Sequence, residues 1–285
     1  MVSFLTNVNV AALLASVGLN SRVVACERTY PPSVPVGLLL GTLRRITYSR
    51  AARVVMQSRE GVSWLNSRIP SARGIWIPNP VVYPLPSGRH AVSPEALIQG
   101  GRKLLLAVGR MDAGKQFDEL LRSFASVHTQ FSDWDLAILG EGPERSSLER
   151  LAAALNIGPH VRFPGQVDNP SDWYLRANLF VLSSRYEGFP NALAEAMAHG
   201  CAAVSYDCDT GPRDIIRHGY DGLLVTPVGD VPALAKALRR LMSDDTERQH
   251  MAARAVEVRE RFSTRHILQM WDELLTNVAE ERQGS

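Results

Sequence analysis

The sequence predicts an α/β protein built on parallel sheets with helices on both faces. Three observations carry that reading. From about Lys103 onward, short apolar runs alternate with amphipathic segments. Runs such as Leu104–Val108 and Leu136–Leu139 are continuously apolar, as strands covered on both faces are. The chain of 285 residues is long enough for about two domains.

The elements follow in order. Residues 1–79 read as a strand near Val2–Leu5, a helix over Val10–Val17, a strand at Arg22–Ala25 and a helix around Val36–Tyr48. A strand at Arg53–Met56, a helix after Glu60 and a strand in Ile75-Trp76-Ile77-Pro78-Asn79-Pro80 complete this piece. Residues 80–102 hold Pro80, Pro84, Pro86 and Gly100-Gly101 and read as an interdomain linker.

Residues 103–263 form the second domain. Leu104–Val108 is a strand, and Gln116–Gln130 is a helix with Leu120, Leu121, Phe124 and Val127 on one face. The strand Leu136–Leu139 leads into Gly140-Glu141-Gly142-Pro143 and a helix to about Leu155. Then come a strand at Val161–Phe163, a short helix near Ser171–Ala177, a strand at Leu179–Ser183 and a helix opened by Pro190. Strands at Ala202–Tyr206 and Leu223–Val225 precede helices at about Val231–Met242 and Thr246–Arg261. In residues 264–285, a helix over about Thr264–Val278 carries Ile267, Met270, Trp271, Leu274 and Leu275 on one face, so it must dock on another surface.

Composition narrows the function classes. The chain is 45% hydrophobic and 21% charged, an ordinary globular balance. A net charge of +2 gives no reason to expect nucleic acid or another polyanion as partner. Cys26, Cys201 and Cys208 have no metal-ligand or redox spacing and read as reduced residues of a cytoplasmic protein. The longest apolar run, Val34 to Leu43, is far short of the roughly 20 residues of a membrane helix. The N-terminus lacks the basic flank of a signal peptide.

The chemistry concentrates at strand ends. Glu187 lies in the loop before the helix opened by Pro190, and Glu195 falls in that helix's second turn. Between them, the N–H groups of Asn191, Ala192 and Leu193 form a positive terminus suited to phosphate. N–H groups for a phosphate and carboxylates for hydroxyls fit a nucleotide-sugar. The bland alternative makes Glu187 an N-terminal acid and Glu195 an exposed helix residue. A paired-carboxylate hydrolase is a rival, but a helix N-terminus invites phosphate rather than a neutral glycan.

Gly109-Arg110-Met111-Asp112-Ala113-Gly114-Lys115 also follows a buried strand, with Gly109 allowing close backbone approach. Departure of a diphosphate needs positive charge, from a metal or from paired cations such as Arg110 and Lys115. Asp207-Cys208-Asp209 could hold a divalent metal, but the following Thr210-Gly211-Pro212 favours a turn and helix cap. No metal is therefore expected, and the histidines show no ligand spacing.

These residues together resemble the retaining glycosyltransferases of family 4, which have the GT-B fold. The resemblance covers about residues 103–280. It rests on Gly109-Arg110…Lys115, Gly140-Glu141-Gly142-Pro143, Ser184-Arg185-Tyr186-Glu187-Gly188-Phe189-Pro190-Asn191…Glu195-Ala196 and Gly211-Pro212. The wording is similar to the branch that adds galactose or N-acetylhexosamines to lipid-linked oligosaccharides and surface polysaccharides.

The resemblance implies two Rossmann-like parallel-sheet domains and a UDP-sugar donor, with no other cofactor. It implies that Arg110 and Lys115 hold the diphosphate, Glu187 holds donor-sugar hydroxyls and Glu195 holds the ribose. Gly109, Glu141 and the backbone of Gly188, Phe189, Pro190, Asn191, Ala192 and Leu193 would line the donor, and Gln166-Val167 would border the base. It implies transfer to a glycan or lipid-linked acceptor with retained configuration, and a final helix that crosses back to the N-terminal domain.

The N-terminal domain is expected to be incomplete, because family members begin with a further strand and a Gly-rich loop. Many also carry a His after the strand matching Arg22–Ala25, where this chain has Cys26-Glu27-Arg28, so that Glu27 is a candidate for part of that role. A non-catalytic nucleotide-sugar-binding fragment and a GT-B epimerase stay open as alternatives. Arg44, Arg45, Arg50 and Arg53 flank an apolar segment, which suggests peripheral contact with the inner face of a membrane, beside the commoner reading of a solvated basic face.

Overall fold

Two parallel sheets organise the chain in a computed structural model that describes residues 1–283. The first contains β1 (Val2–Phe4), β2 (Val24–Cys26), β3 (Arg53–Met56) and β4 (Gly74–Trp76) in sequence order. They are joined by α1 (Thr6–Ala15), α2 (Leu38–Thr47) and α3 (Arg59–Arg68). Because the order advances one strand at a time, right-handed crossovers put all three helices on one face. There Val10, Leu13, Tyr48, Val54 and Leu65 form one core cluster.

The second sheet holds β5 (Lys103–Val108), β6 (Trp134–Leu139), β7 (Val161–Gly165), β8 (Leu179–Leu182), β9 (Ala203–Tyr206) and β10 (Gly222–Val225). Its helices are α4 (Pro94–Leu97), just before β5, then α5 (Phe117–His128), α6 (Arg145–Ala154), α7 (Pro170–Arg176), α8 (Asn191–Ala198), α9 (Pro212–Ile215) and α10 (Val231–Ser243). The spatial order is β10-β9-β8-β5-β6-β7. Successive residues of each strand face opposite sides. Leu105, Leu136, Val181 and Val204 therefore pack under α5 and α10, and Leu104, Leu106, Phe180 and Ala203 under α7 and α8.

Three expectations shift. The helix placed at Val10–Val17 begins at Thr6, because the buried Asn9 side chain works inside α1, donating to the Cys26 carbonyl at 3.0 Å. The stretch read as one helix over Thr246–Arg261 is α11 (Asp245–Ala255) and α12 (Val258–Arg261). The break carries the chain around the sheet, since Met251 packs in one core layer and Val258 and Phe262 in the other. Pro190 is the cap of α8 rather than its first helical residue, which is Asn191.

The last helix, α13 (Thr264–Gln283), lies on the first sheet, where Ile267, Leu274 and Val278 pack against Val24, Val55 and Ile77. Two passages of chain therefore join the sheets, and they run side by side: Val81 N–H donates to the Phe262 carbonyl at 2.7 Å, and Val81 bridges Ser263 in parallel. Among the described residues no helix is long and apolar enough to cross a membrane.

Candidate active site

The strand order of the second sheet reverses between β5 and β8, and ligands of such sheets bind beyond the strand ends at that switch point. The loops after β5 and β8 meet there. Arg185 N–H donates to the Gly114 carbonyl at 2.8 Å, and Ser183 Oγ to the Lys115 carbonyl at 2.7 Å. Lys115 Nζ then donates to Glu187 Oε1 at 2.6 Å, and Ser184 Oγ reaches the same oxygen at 2.7 Å. Among the described residues, Glu187 Oε2 has no protein donor. Gly109 makes room for the pair, since the Lys115 stem passes 3.3 Å from where a Cβ at this position would stand.

Lys115 is positioned by the turn that Asp112 caps, its Oδ1 accepting from Gly114 N–H at 3.0 Å. Arg110 stands at the rim, with 75% of its side chain exposed and Asp112 as its ion-pair neighbour at 3.9 Å. One cation is thus fixed against a carboxylate at 2.6 Å, and the other is exposed and only loosely paired.

Gly140 and Gly142 are required by packing of one loop on another. A Cβ on Gly140 would lie 2.1 Å from the Gly109 carbonyl oxygen, and one on Gly142 2.3 Å from that of Met111. Gly140 also holds φ +123°, a left-handed backbone that disfavours any side chain. Met111 N–H donates to the Glu141 carbonyl at 2.9 Å, which ties the two loops together. The Glu141 carboxylate pairs with Arg145. Gln166 is exposed beyond β7, and Val167 is half-buried against the core.

The loop from Gly188 leads into α8. Phe189 is buried edge-on to Phe262 at 5.4 Å, and the Pro190 and Leu193 side chains are buried too, so these three residues offer a ligand their backbone only. The positive terminus is narrower than the sequence suggests. Leu193 N–H bonds the Pro190 carbonyl at 3.1 Å, whereas among the described residues those of Asn191 and Ala192 have no backbone acceptor.

Glu195 repeats the pattern of Glu187. Tyr174 O–H donates to its Oε2 at 3.0 Å, and burial raises the carboxyl above its ordinary value. Tyr174 was not legible in the sequence as a site residue. It lies on α7, and a hydrophobic tyrosine in a short helix carries no signal of a carboxylate partner. Ser184 sat inside the quoted motif without an assigned role.

Glu27 is not in the crevice. It is 2% exposed, accepts from Thr6 Oγ1 at 2.9 Å and from Tyr48 O–H at 2.5 Å, and burial raises its carboxyl. Its neighbour Arg28 faces the second sheet instead: a Cβ on Gly188 would lie 2.5 Å from the Arg28 carbonyl oxygen. The halves also meet where Asn79 Nδ2 donates to Asn191 Oδ1 at 2.9 Å and Arg59 N–H to Asp214 Oδ2 at 3.1 Å. Asp207 pairs with Arg213 at 2.9 Å, which builds Asp207-Cys208-Asp209 into the turn before α9.

Residues 89–258 match the family described as Glycosyl transferases group 1. Exopolysaccharide phosphotransferase SCO2592 of Streptomyces coelicolor is 34% identical over 265 residues, covering 92% of this chain but only 27% of that protein's length. The chain is 27% identical over 279 residues to a Campylobacter jejuni protein named GalNAc-alpha-(1->4)-GalNAc-alpha-(1->3)-diNAcBac-PP-undecaprenol alpha-1,4-N-acetyl-D-galactosaminyltransferase, covering 97% of this chain and 74% of the other. The structure of Anabaena HepE, solved with UDP, is similar with a TM-score of 0.84 at 18% identity, over 97% of this chain and 78% of that one. The likeness in fold and the two facing parallel sheets are those of GT-B, and the family match spans more than half of the sequence: the chain belongs to the glycosyl transferases group 1 family.

Proposed function

We propose that the protein moves a hexose or N-acetylhexosamine from a UDP-sugar to a glycan or lipid-linked glycan, with retained configuration and without a metal ion. One observation carries this reading: Lys115 and Glu187 meet at 2.6 Å beside the N-terminus of α8, where two sheets face each other. Among the described residues, each of the two carboxylates has one oxygen held by protein and one left for a ligand hydroxyl. Glu187 takes the sugar and Glu195 the ribose, with the Asn191 and Ala192 N–H groups toward the phosphates between them. UDP in HepE and the diphospho-undecaprenol-linked glycan in the name of the Campylobacter relative support donor and acceptor.

In this reaction the acceptor oxygen bonds to the anomeric carbon as the bond from that carbon to the phosphate oxygen breaks. The electron pair leaves with UDP, and the acceptor proton passes to the departing phosphate oxygen on the same face. No protein base is required. Lys115 and Arg110 oppose the charge that grows on the diphosphate, where fixed cations are most effective.

Calorimetric titration of UDP into wild type and Arg110→Ala tests the assignment. Affinity should fall about tenfold or more while the thermal midpoint stays level, since an exposed side chain contributes little to folding. Equal affinity would remove Arg110 from the donor site. A panel of UDP-sugars assayed for hydrolysis and transfer in the presence of EDTA identifies the sugar. Activity lost on chelation would overturn the metal-free mechanism, and no turnover of any UDP-sugar would overturn the donor.

A further inference from the structure

Three features meet at Gln116. It holds a left-handed backbone at φ +49°, a region that glycine enters without cost and a residue with a side chain does not. It is only 3% exposed. Its Oε1 has no hydrogen-bond partner among the described residues. Local stability gives no reason for a glutamine here, since glycine would relieve the backbone and remove the orphaned oxygen. Strain of this kind persists where the surroundings enforce it, and it gathers at functional sites.

The neighbours say what is being enforced. Gln116 directly follows Lys115 and turns the chain from the single helical turn Ala113–Lys115 into α5. Its Nε2 donates to Glu119 Oε1 at 2.5 Å, in the first turn of α5. This clasp is seated against the loop before α10: a Cβ on Gly229 would stand 3.4 Å from both Glu119 carboxylate oxygens and 3.6 Å from Gln116 Nε2. The two helices are joined close by, with Ser123 Oγ 3.2 Å from the Val231 carbonyl. Lys115 is thus held from both sides. Its own N–H donates to the Asp112 carbonyl at 3.0 Å, and the residue after it is clamped to the layer of α5 and α10.

We propose that Gln116 is a positioning residue: clasped to Glu119, its side chain holds the turn that aims Lys115 at Glu187 and at the diphosphate of the donor. The inference rests on the donor reading above. Gln116 touches no reacting atom and acts only through Lys115.

Calorimetric titration of UDP, with circular dichroism and thermal unfolding alongside, tests this. Gln116→Gly leaves the left-handed turn open to the backbone but removes the clasp. It should fold and yet bind UDP about tenfold more weakly than wild type, the scale of a small misplacement of Lys115. A glutamine needed only for folding would move the thermal midpoint and leave the affinity of the folded protein alone. Glu119→Ala should copy the loss, whereas Glu119→Gln, which keeps an oxygen for the Gln116 amide, should bind UDP like wild type. In a Lys115→Ala background, Gln116→Gly should cost nothing further. Wild-type affinity in Gln116→Gly or Glu119→Ala, or an equal further loss without Lys115, would overturn the clasp and leave the donor reading standing. A wild-type protein that binds no UDP would overturn both.

Discussion

Lys115 and Glu187 stand 72 residues apart in sequence and 2.6 Å apart in space, their bond spanning the point where the strand order of the second sheet reverses. The pair serves two ends at once: it ties the loops after β5 and β8 together, and it fixes one cation and one carboxylate oxygen toward the crevice. Lys115→Ala and Glu187→Gln should each lower kcat/KM about a hundredfold, roughly 3 kcal/mol of transition-state stabilisation. The double variant should lose little more than either single one. Steady-state kinetics in a double-mutant cycle reads this directly, and additive losses would mean that the two groups act separately.

Glu195 makes the stability of the fold depend on pH. Burial raises its carboxyl, so the folded state holds that proton to higher pH than the unfolded chain does. Its contribution favours folding below the ordinary carboxylate range and turns against folding as pH climbs through the window between ordinary and raised values. Glu195→Gln lacks that penalty. Its thermal midpoint should match wild type near about pH 4 and exceed it near about pH 7. UDP affinity at neutral pH should fall about tenfold, the scale of one hydrogen bond to a charged group. A midpoint difference that does not grow with pH would contradict the cause given for the raised value.

Glu27 should behave as a structural residue. Glu27→Ala strands the buried Tyr48 hydroxyl and frees the half-buried Thr6 hydroxyl, which costs about 2 kcal/mol. Urea unfolding should show this loss, while UDP affinity of the folded protein stays at the wild-type value. A variant that folds normally but fails to bind UDP would return Glu27 to the crevice.

Gly188 sets how closely the halves approach. A Cβ there would press on the Arg28 carbonyl from 2.5 Å, backbone against backbone, with no flexible side chain to yield. Gly188→Ala should therefore enlarge the radius of gyration in small-angle scattering and reduce kcat/KM about tenfold or more, the scale of a misplacement near 1 Å. An unchanged scattering profile would mean that the loop adapts locally.

Strands were legible because burial on both faces leaves a continuous apolar run, as in Leu104–Val108, and the helix carrying Ile267 and Leu274 announced a docking face by its spacing. The crevice was legible because its loops carry glycines and charges directly after such strands. What periodicity does not encode is the direction of a single polar side chain. Nothing near Glu27 in sequence shows that Thr6 and Tyr48 hold its carboxylate, each 21 residues away. Tyr174, likewise 21 residues from Glu195, has the same character. The early start of α1 was hidden because asparagine is a weak helix former whose buried partners appear only once β2 lies beside it.

The paired passages at Val81 and Ser263 limit the motions the crevice can make. A single tether would act as a ball joint, letting one sheet swivel over the other in any direction. Two passages of chain bonded side by side constrain the motion toward that of a door hinge, which bends about one line. Bending about that line would part the Arg28–Gly188 and Asn79–Asn191 contacts together rather than one at a time.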